Sequence, residues 1–453
     1  MPSPDLLRTL YAKEVRSLFS VKAFWIMLLI LSLLTGYSFI QAVSLFSQAS
    51  RTAMQYPEMA RGMAPLDGVF VPTFGALYLI TTLLFPFVAI RLVSLEKQSG
   101  SLKLLMQSPL NLWNIITVKA AALGLGWILA LVPAMSSIFI WTTLGGHTCW
   151  AEIANLTLGY TLYAFIIAGI AFLAAALTDS TATAAILTLA FTLGSWVLDF
   201  AAGTQSWLHA ISALSLTDFL RTFEHGLFSL SLVTRAVVSA LSFVALSVIW
   251  LHPGTDVWAK FRRSALIIAT GILLGIPAGN IRVYRDVSEN RSNSFNPADE
   301  QALGQMAEQL TVTVYLSRED SRLHDYRRNV LNKLQRTVPD MVTIYPCDSG
   351  NTLLGTTATD DNYGTVEYDY AGNHDESSSN SPREVLPLIH QLAGQTVTPD
   401  SLSQYPGYPL VADTNSRASR IWFYALLPLL LGVSWWASCK FKGINKKGKR
   451  PGK

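Results

Sequence analysis

The sequence predicts an α-helical polytopic membrane protein. About eight transmembrane helices are expected, a six-helix body plus two, with an α/β domain between the last two. Three observations predict it. Of 453 residues, 51% are hydrophobic and only 14% charged, with a mean hydropathy of +0.34. A soluble domain carries about a quarter charged residues, so a soluble multidomain enzyme is excluded. Three cysteines cannot staple a disulfide scaffold of this length. Eight apolar stretches approach the roughly 20 residues that cross a bilayer as a helix. Finally, the net charge of +4 is a difference between unlike parts. Residues Arg282 to Arg420 hold 12 Lys+Arg against 19 Asp+Glu, a net of −7, which leaves +11 for the rest. An apolar basic body and a polar acidic domain are implied.

Residues 1–22 open the chain. Leu7, Leu10, Tyr11, Val15, Leu18 and Phe19 recur at helical spacing, with Arg8, Lys13, Glu14 and Arg16 elsewhere on the wheel. This describes an amphipathic helix lying along a membrane interface. The six-helix body, 23–251, begins with Ala23–Val43, too long for a signal-peptide core and read as an uncleaved anchor. Val71–Val93 is the second span. After it, a polar start at Glu96–Gly100 leads into apolar Leu102, Leu104, Leu105 and Met106, and Ser108-Pro109 breaks the pattern. A short surface-held helix is expected here, exposing Glu96, Lys97 and Lys103.

Spans three to five are Thr117–Leu144, Thr157–Leu177 and Thr181–Gly203. The following stretch is mildly apolar (Trp207, Leu208, Ile211, Leu214, Leu216, Phe219, Leu220), which suits interfacial helices. Val233–Leu251 is the sixth span. A loop and the seventh span, Ser264–Ile281, make up 252–281. The eighth span, Ile421–Ser438, leads into a basic tail, together 421–453. The last two spans are the shortest, and each contains a proline, Pro277 and Pro428.

Basic residues next to the spans set orientation. With the N-terminus inside, the inner segments hold 18: Arg8, Lys13, Arg16 and Lys22; Arg91, Lys97, Lys103 and Lys119; Lys260, Arg262 and Arg263; and seven in the tail beyond Lys440 inclusive. The short outer loops hold Arg51, Arg61, Arg221 and Arg235. Both termini are therefore expected in the cytoplasm and 282–420 outside. Trp25, Trp141, Trp250, Trp422 and Trp435 fall near span ends, as an interfacial aromatic belt would. Gly271, Gly275 and Gly279 have the spacing that permits close helix approach, here for packing within the chain.

The outer domain, 282–420, starts with an alternating strand at Leu310–Ser317 and an amphipathic helix at Asp320–Val338. A second strand at Met341–Pro346 completes a β-α-β unit. Tyr363–Tyr370 is a third strand, His374–Pro382 a loop, and Arg383–Ala393 a helix. The turn-rich Tyr405–Val411 is expected to pack under the membrane-proximal face.

Little chemistry is visible. His324, His374 and His390 lack metal-ligand spacing, and Asp360-Asp361-Asn362 lacks the glycine and distal glutamate of a calcium loop. Cys149 and Cys347 both fall outside, where pairing stays open because nothing fixes their distance; Cys439 falls inside. Asp199 is the only carboxylate within the spans and sits near a helix end, which disfavours an ion-coupled carrier. There is no GxxxxGK[ST] loop. No cofactor is expected in this chain, and any energy must come from a partner.

The order Glu96, Gly100, Ser101, Leu102, Leu105, Pro109 and Lys119 resembles the E-x-x-x-G-[TS]-L-x-x-L-x-x-x-P…K pattern of ABC type-2 permeases, most of all the gliding-motility and nitrous-oxide-reduction type. The resemblance covers about residues 5 to 251, including KEVRSLFS (Lys13–Ser20) and FEHGLFSLS (Phe223–Ser231). It implies a separate cytoplasmic ATPase, carrying ATP and Mg, that docks on the segment with Glu96, Lys97 and Gly100. It further implies a second permease chain, as a homo- or heterodimer, and short re-entrant helices over 204–232. Residues 282–420 resemble a shortened auxiliary domain of gliding-motility systems. The expected role is the membrane subunit of an ATP-driven exporter or mechanotransmitter in a bacterial inner membrane, with the domain in the periplasm. The alternative is a non-transporting scaffold whose domain binds an envelope partner. Lipid is an expected partner; nucleic acid is not.

Overall fold

The computed structural model describes residues 4–60, 62–107, 110–202, 215–279, 281–316, 320–339, 342–346, 363–397, 405–410 and 416–447. Eight helical runs in it are long and apolar enough to cross a membrane. They coincide with the eight expected spans and mostly extend beyond them.

Helix α1 (Pro4–Phe19) precedes the first span, α2 (Lys22–Gln55). The second span runs from Leu66 to Gln98 in pieces. A π-type turn at Leu66–Phe70 leads into α3 (Val71–Leu83), and α4 (Phe85–Gln98) follows a break at Leu84. Pro86 explains the break, since its ring lacks an N–H and crowds the preceding turn. Gly100, at φ +71, then turns the chain into the short α5 (Ser101–Met106). A left-handed backbone of this kind suits glycine, which has no Cβ to clash.

Spans three to five are α6 (Leu112–Thr143), α7 (Trp150–Leu177) and α8 (Thr181–Ala202). Helix α9 (Leu216–Glu224) and strand β1 (Leu227–Ser229) lead into the sixth span, α10 (Leu230–Leu251). Part of the expected re-entrant segment, 204–214, lies outside the described residues. The seventh span, α11 (Val257–Gly279), begins earlier than expected, so Lys260, Arg262 and Arg263 stand on its first turns and not in a loop. Lys260 donates to the carbonyl oxygen of Trp250 (3.2 Å).

Helix α7 is the centre of the bundle, with Ile167, Ala171, Ala175 and Tyr160 fully buried. The seventh and eighth spans are peripheral, and most of their apolar side chains face outward, as lipid-facing surfaces do. The eighth crosses the first where Gly36 lies against the Phe423 side chain. On α11, Gly271 approaches Ser242 of the sixth span, whereas Gly275 and Gly279 have open space beside them. Only one of the three glycines thus serves close packing. Two tryptophans placed in the interfacial belt, Trp25 and Trp141, are instead buried, and their indoles close loops onto the carbonyls of Phe19 and His147.

Beyond α11, β2 (Tyr284–Asp286) pairs antiparallel with β1, tying the domain to the body. After α12 (Pro297–Gly304) comes a sheet of order β4-β3-β5-β6. It comprises β3 (Leu310–Val314), β4 (Val342–Pro346), β5 (Val366–Tyr370) and β6 (Asn373–Ser377). The helical run 321–337, here α13, connects β3 to the parallel β4, and α14 (Pro382–Leu392) packs beside it. The β-α-β unit is as expected. Strand β6 is not, because His374–Ser377 belongs to it and not to a loop. Ala371 and Gly372, both at positive φ, form a two-residue hairpin turn after Tyr370. Alternating Leu310, Val312 and Val314, with Val366 and Tyr368 on the neighbouring strand, close the domain core on α13 and α14.

Candidate functional site

Three apolar stripes converge at the end of the bundle opposite the domain, and each carries one charge. On α1 the buried residues are Leu10, Glu14 and Leu18, at i, i+4 and i+8. On α6 they include Leu112, Ile115, Ile116, Lys119, Ala122 and Leu123. On α4, Glu96 continues the buried Ala89, Leu92 and Val93. Unpaired charges on such stripes would be strongly destabilising, so they must find each other.

They do. The Lys119 ammonium, with a side chain 1% exposed, lies 2.9 Å from Glu14 Oε2 and 2.7 Å from Glu96 Oε2. It donates to Glu14 Oε2 and also to the Leu92 carbonyl oxygen at 2.9 Å, while Glu96 Oε2 stands beside it as an ion pair. Lys13 reaches back from the exposed side to Glu96 and lies 3.3 Å from Glu14 Oε1. Two lysines and two carboxylates make a neutral cluster. Burial works against the charge on Lys13, yet Glu96 and Glu14 outweigh it and hold its pKa above the ordinary lysine value.

Glu96 and Lys97 are therefore not exposed as the sequence reading expected. Glu96 is 14% exposed and turned into the cluster. Lys97 caps the end of α7, donating to the carbonyl oxygens of Ala176 (3.0 Å) and Thr178 (2.8 Å), and pairs with Asp179 (3.0 Å). A cation at a helix C-terminus satisfies orphan carbonyls and the helix dipole together. Glu14, placed on the polar face of its helix from sequence, is at the centre of the buried stripe. Arg16 remains on the exposed face of α1, beside Arg8.

The short helix α5 is held as expected. Leu102 is buried, Leu105 packs against the core, and Ser101 Oγ meets Ser99 Oγ at 2.8 Å. Lys103 and Leu104, the latter 68% exposed, point away from the bundle. Pro109 lies outside the described residues. The structure thus brings Lys13, Glu14, Glu96 and Lys119 into one cluster and leaves Lys103 and Leu104 as the free surface. Leu104 as an outward residue was missed; its apolar character pointed inward.

At the opposite end of α7, Glu152 Oε1 accepts the backbone N–H of Glu289 at 2.7 Å. The Glu289 carboxylate meets His147 Nε2 at 2.8 Å and accepts from the Tyr408 hydroxyl at 3.1 Å. Tyr408 stacks on His147, and its N–H donates to Met63 O, while Leu410 N–H donates to Ser50 Oγ. The described part of Tyr405–Val411 therefore does pack against the body, at the ends of the first two spans. Asp286 accepts from Ser288, Asn293 and Ser294, and Asn293 and Ser292 donate to His225 O, completing a polar collar. Cys149 is free; Cys347 lies outside the described residues, as do Asp360 to Asn362. The side chain of Asp199 is likewise not described.

Residues 8–266, more than half of the chain, match the family model described as ABC-2 family transporter protein. The match takes in α1, the buried cluster and the first six spans. No curated protein and no solved structure matches.

Proposed function

We propose that this chain, which belongs to the ABC-2 family of transporter proteins and is a membrane permease component of an ABC system, is coupled to a separate cytoplasmic ATPase through α5. The observation that carries this reading is the burial of Lys119 between Glu14 and Glu96. It joins the surface-lying α1, the end of the second span and the base of the third into one block, and Lys97 adds the end of the fourth. A push on the exposed face of α5 would then move four elements as a rigid body, the kind of displacement that switching proteins use.

The contact face is Lys103 and Leu104, with Arg8 and Arg16 of α1 alongside. Glu96 acts from behind it, positioning α5. The motifs at Glu96–Lys119 and Phe223–Ser231 favour the gliding-motility and nitrous-oxide-reduction type, working as a dimer of permease chains. The family resemblance implies a bacterial inner membrane, and the charge distribution favours the domain on its outer, periplasmic side. Whether cargo or force is moved, the route to the domain is the same: along α7 to Glu152, then Glu289 and β2.

Isolation of the intact membrane complex tests this. A nucleotide-binding subunit should accompany the wild-type chain, and the double variant Lys103→Glu, Leu104→Glu should lose it without change in the chain's own thermal unfolding. If no such subunit accompanies the wild type, or the variant keeps both the subunit and its ATP hydrolysis, the coupling reading fails and the scaffold reading takes its place.

A further inference from the structure

The α/β domain carries a cleft of about 1060 Å³ between α14 and the segment 290–299, a loop and the first turn of α12. Its walls hold an imbalance of charge. Lys333, Arg291 and Arg383 all line it, and Asp299 is the only carboxylate among the lining residues. That carboxylate is taken, because its Oδ1 meets the buried His390 at Nε2 (3.0 Å). Among the described residues neither Arg291 nor Arg383 has a carboxylate partner, and both side chains are exposed at the rim. Lys333 is largely withdrawn from water, and burial holds its pKa below the ordinary lysine value. Its ammonium donates to Ser294 O (3.2 Å) and stands 5.7 Å from the centre of the Phe295 ring. Among the described residues its other two protons have no acceptor within hydrogen-bond distance, although Asp286 and Glu300 stand near enough to favour its charge. A desolvated ammonium in this state gains from an anion entering the cleft.

The rest of the lining asks for more than a small ion. Leu386, Pro387 and Val397 are apolar, and the volume is that of an organic ligand. A ligand that fits this lining carries negative charge together with apolar groups. An extended peptide with acidic and aliphatic side chains offers both. We propose that this cleft binds an acidic peptide segment of a partner protein. This goes beyond the coupling reading and does not depend on it, since the cleft lies in the domain and not at α5.

The test uses the purified full chain and a fluorescein-labelled peptide of alternating Glu and Leu, with a Gln-Leu twin as control, read by fluorescence anisotropy. The acidic peptide should bind and weaken with added salt, and the twin should not bind. The double variant Arg291→Glu, Arg383→Glu should raise Kd about tenfold or more. Both arginines are on the surface, so its thermal unfolding should match the wild type; Lys333→Gln gives a second, deeper perturbation. Equal binding of the two peptides, unchanged affinity in the arginine variant, or binding of an acidic polysaccharide but not of the peptide would each overturn the proposal.

Discussion

Replacing Lys119 with methionine is the sharpest probe of the buried cluster. Methionine keeps most of the apolar stem that packs between the third span and α1, so the change is close to deletion of the ammonium alone. What is left is Glu14, 2% exposed, and Glu96, 14% exposed, without their shared counter-ion. The Leu92 carbonyl also loses its donor. Lys13 stays near both carboxylates, but it is 48% exposed and its help is screened by water. Removing one member of a buried ion pair costs about 3–5 kcal/mol, because the remaining charge is stranded. Lys119→Met should lower the unfolding free energy by that amount, measured by denaturant titration in mixed micelles and followed by circular dichroism. Adding Glu14→Gln should recover about half of the loss, since a neutral amide without a full set of partners costs only about 1–3 kcal/mol. A loss below about 1 kcal/mol, the scale of a surface pair, would show the cluster to be solvated. A Glu14→Gln change that adds to the damage would refute the pairing.

Three further outcomes are expected. Burial holds the Glu224 carboxyl above the ordinary glutamate value, with the Tyr160 hydroxyl and Arg221 only partly offsetting it. The folded chain thus keeps a proton that the unfolded chain releases, so stability falls as pH rises from the ordinary value to the raised one. Glu224→Gln keeps an acceptor for Tyr160 and should flatten the stability profile in that window; an unchanged slope contradicts the burial. Gly36→Ala sets a methyl group against the Phe423 side chain and should cost about 1–3 kcal/mol by displacing the eighth span, read by the same denaturant titration. Glu289→Ala removes the acceptor of Tyr408 and the partner of His147, so hydrogen exchange over 405–410 should quicken while Val312 in the sheet core stays protected; uniform protection would rule out the latch.

The spans were legible because length and apolarity are sufficient for a bilayer helix, whatever it packs against. The β-α-β unit was legible for a related reason: Leu310–Val314 alternates and 321–337 is amphipathic. Strand β6 was hidden because it is an edge strand with no buried residue, so it carries no period-two signal. At the candidate site every member of the cluster stood out in sequence, but as separate features of a surface. The signal that would have joined them was available. Glu14 falls between Leu10 and Leu18, and Lys119 three residues past Ile116 and four before Leu123, each on the face that must be buried. Opposite charges on two buried faces have to meet, and that inference needs no alignment. The Glu152–Glu289 contact had no such sign, since its partners are 137 residues apart and one of them is a backbone amide.

The position of α7 gives these two polar assemblies a common meaning. Its 28 residues make a helix about 42 Å long at 1.5 Å per residue. One end is capped by Lys97, which follows Glu96 directly in the chain, so the cap is one peptide bond from the buried cluster. Glu152, three residues into the other end, holds the backbone of Glu289 where the domain begins. Between them the helix is packed on nearly all sides, against the second, fifth and sixth spans. A close-packed interior transmits displacement and does not absorb it, because side chains in rotamer minima leave no space to yield into. No proline interrupts α7, in contrast to the third span with Pro133 and the seventh with Pro277. The central helix that is capped beside the basal cluster and bonded to the collar is therefore also one with no proline break along it. Under the proposed coupling, a tilt imposed where Lys97 caps it would reappear, at about 40 Å, as a shift of Glu152 and of the strand that Glu289 follows.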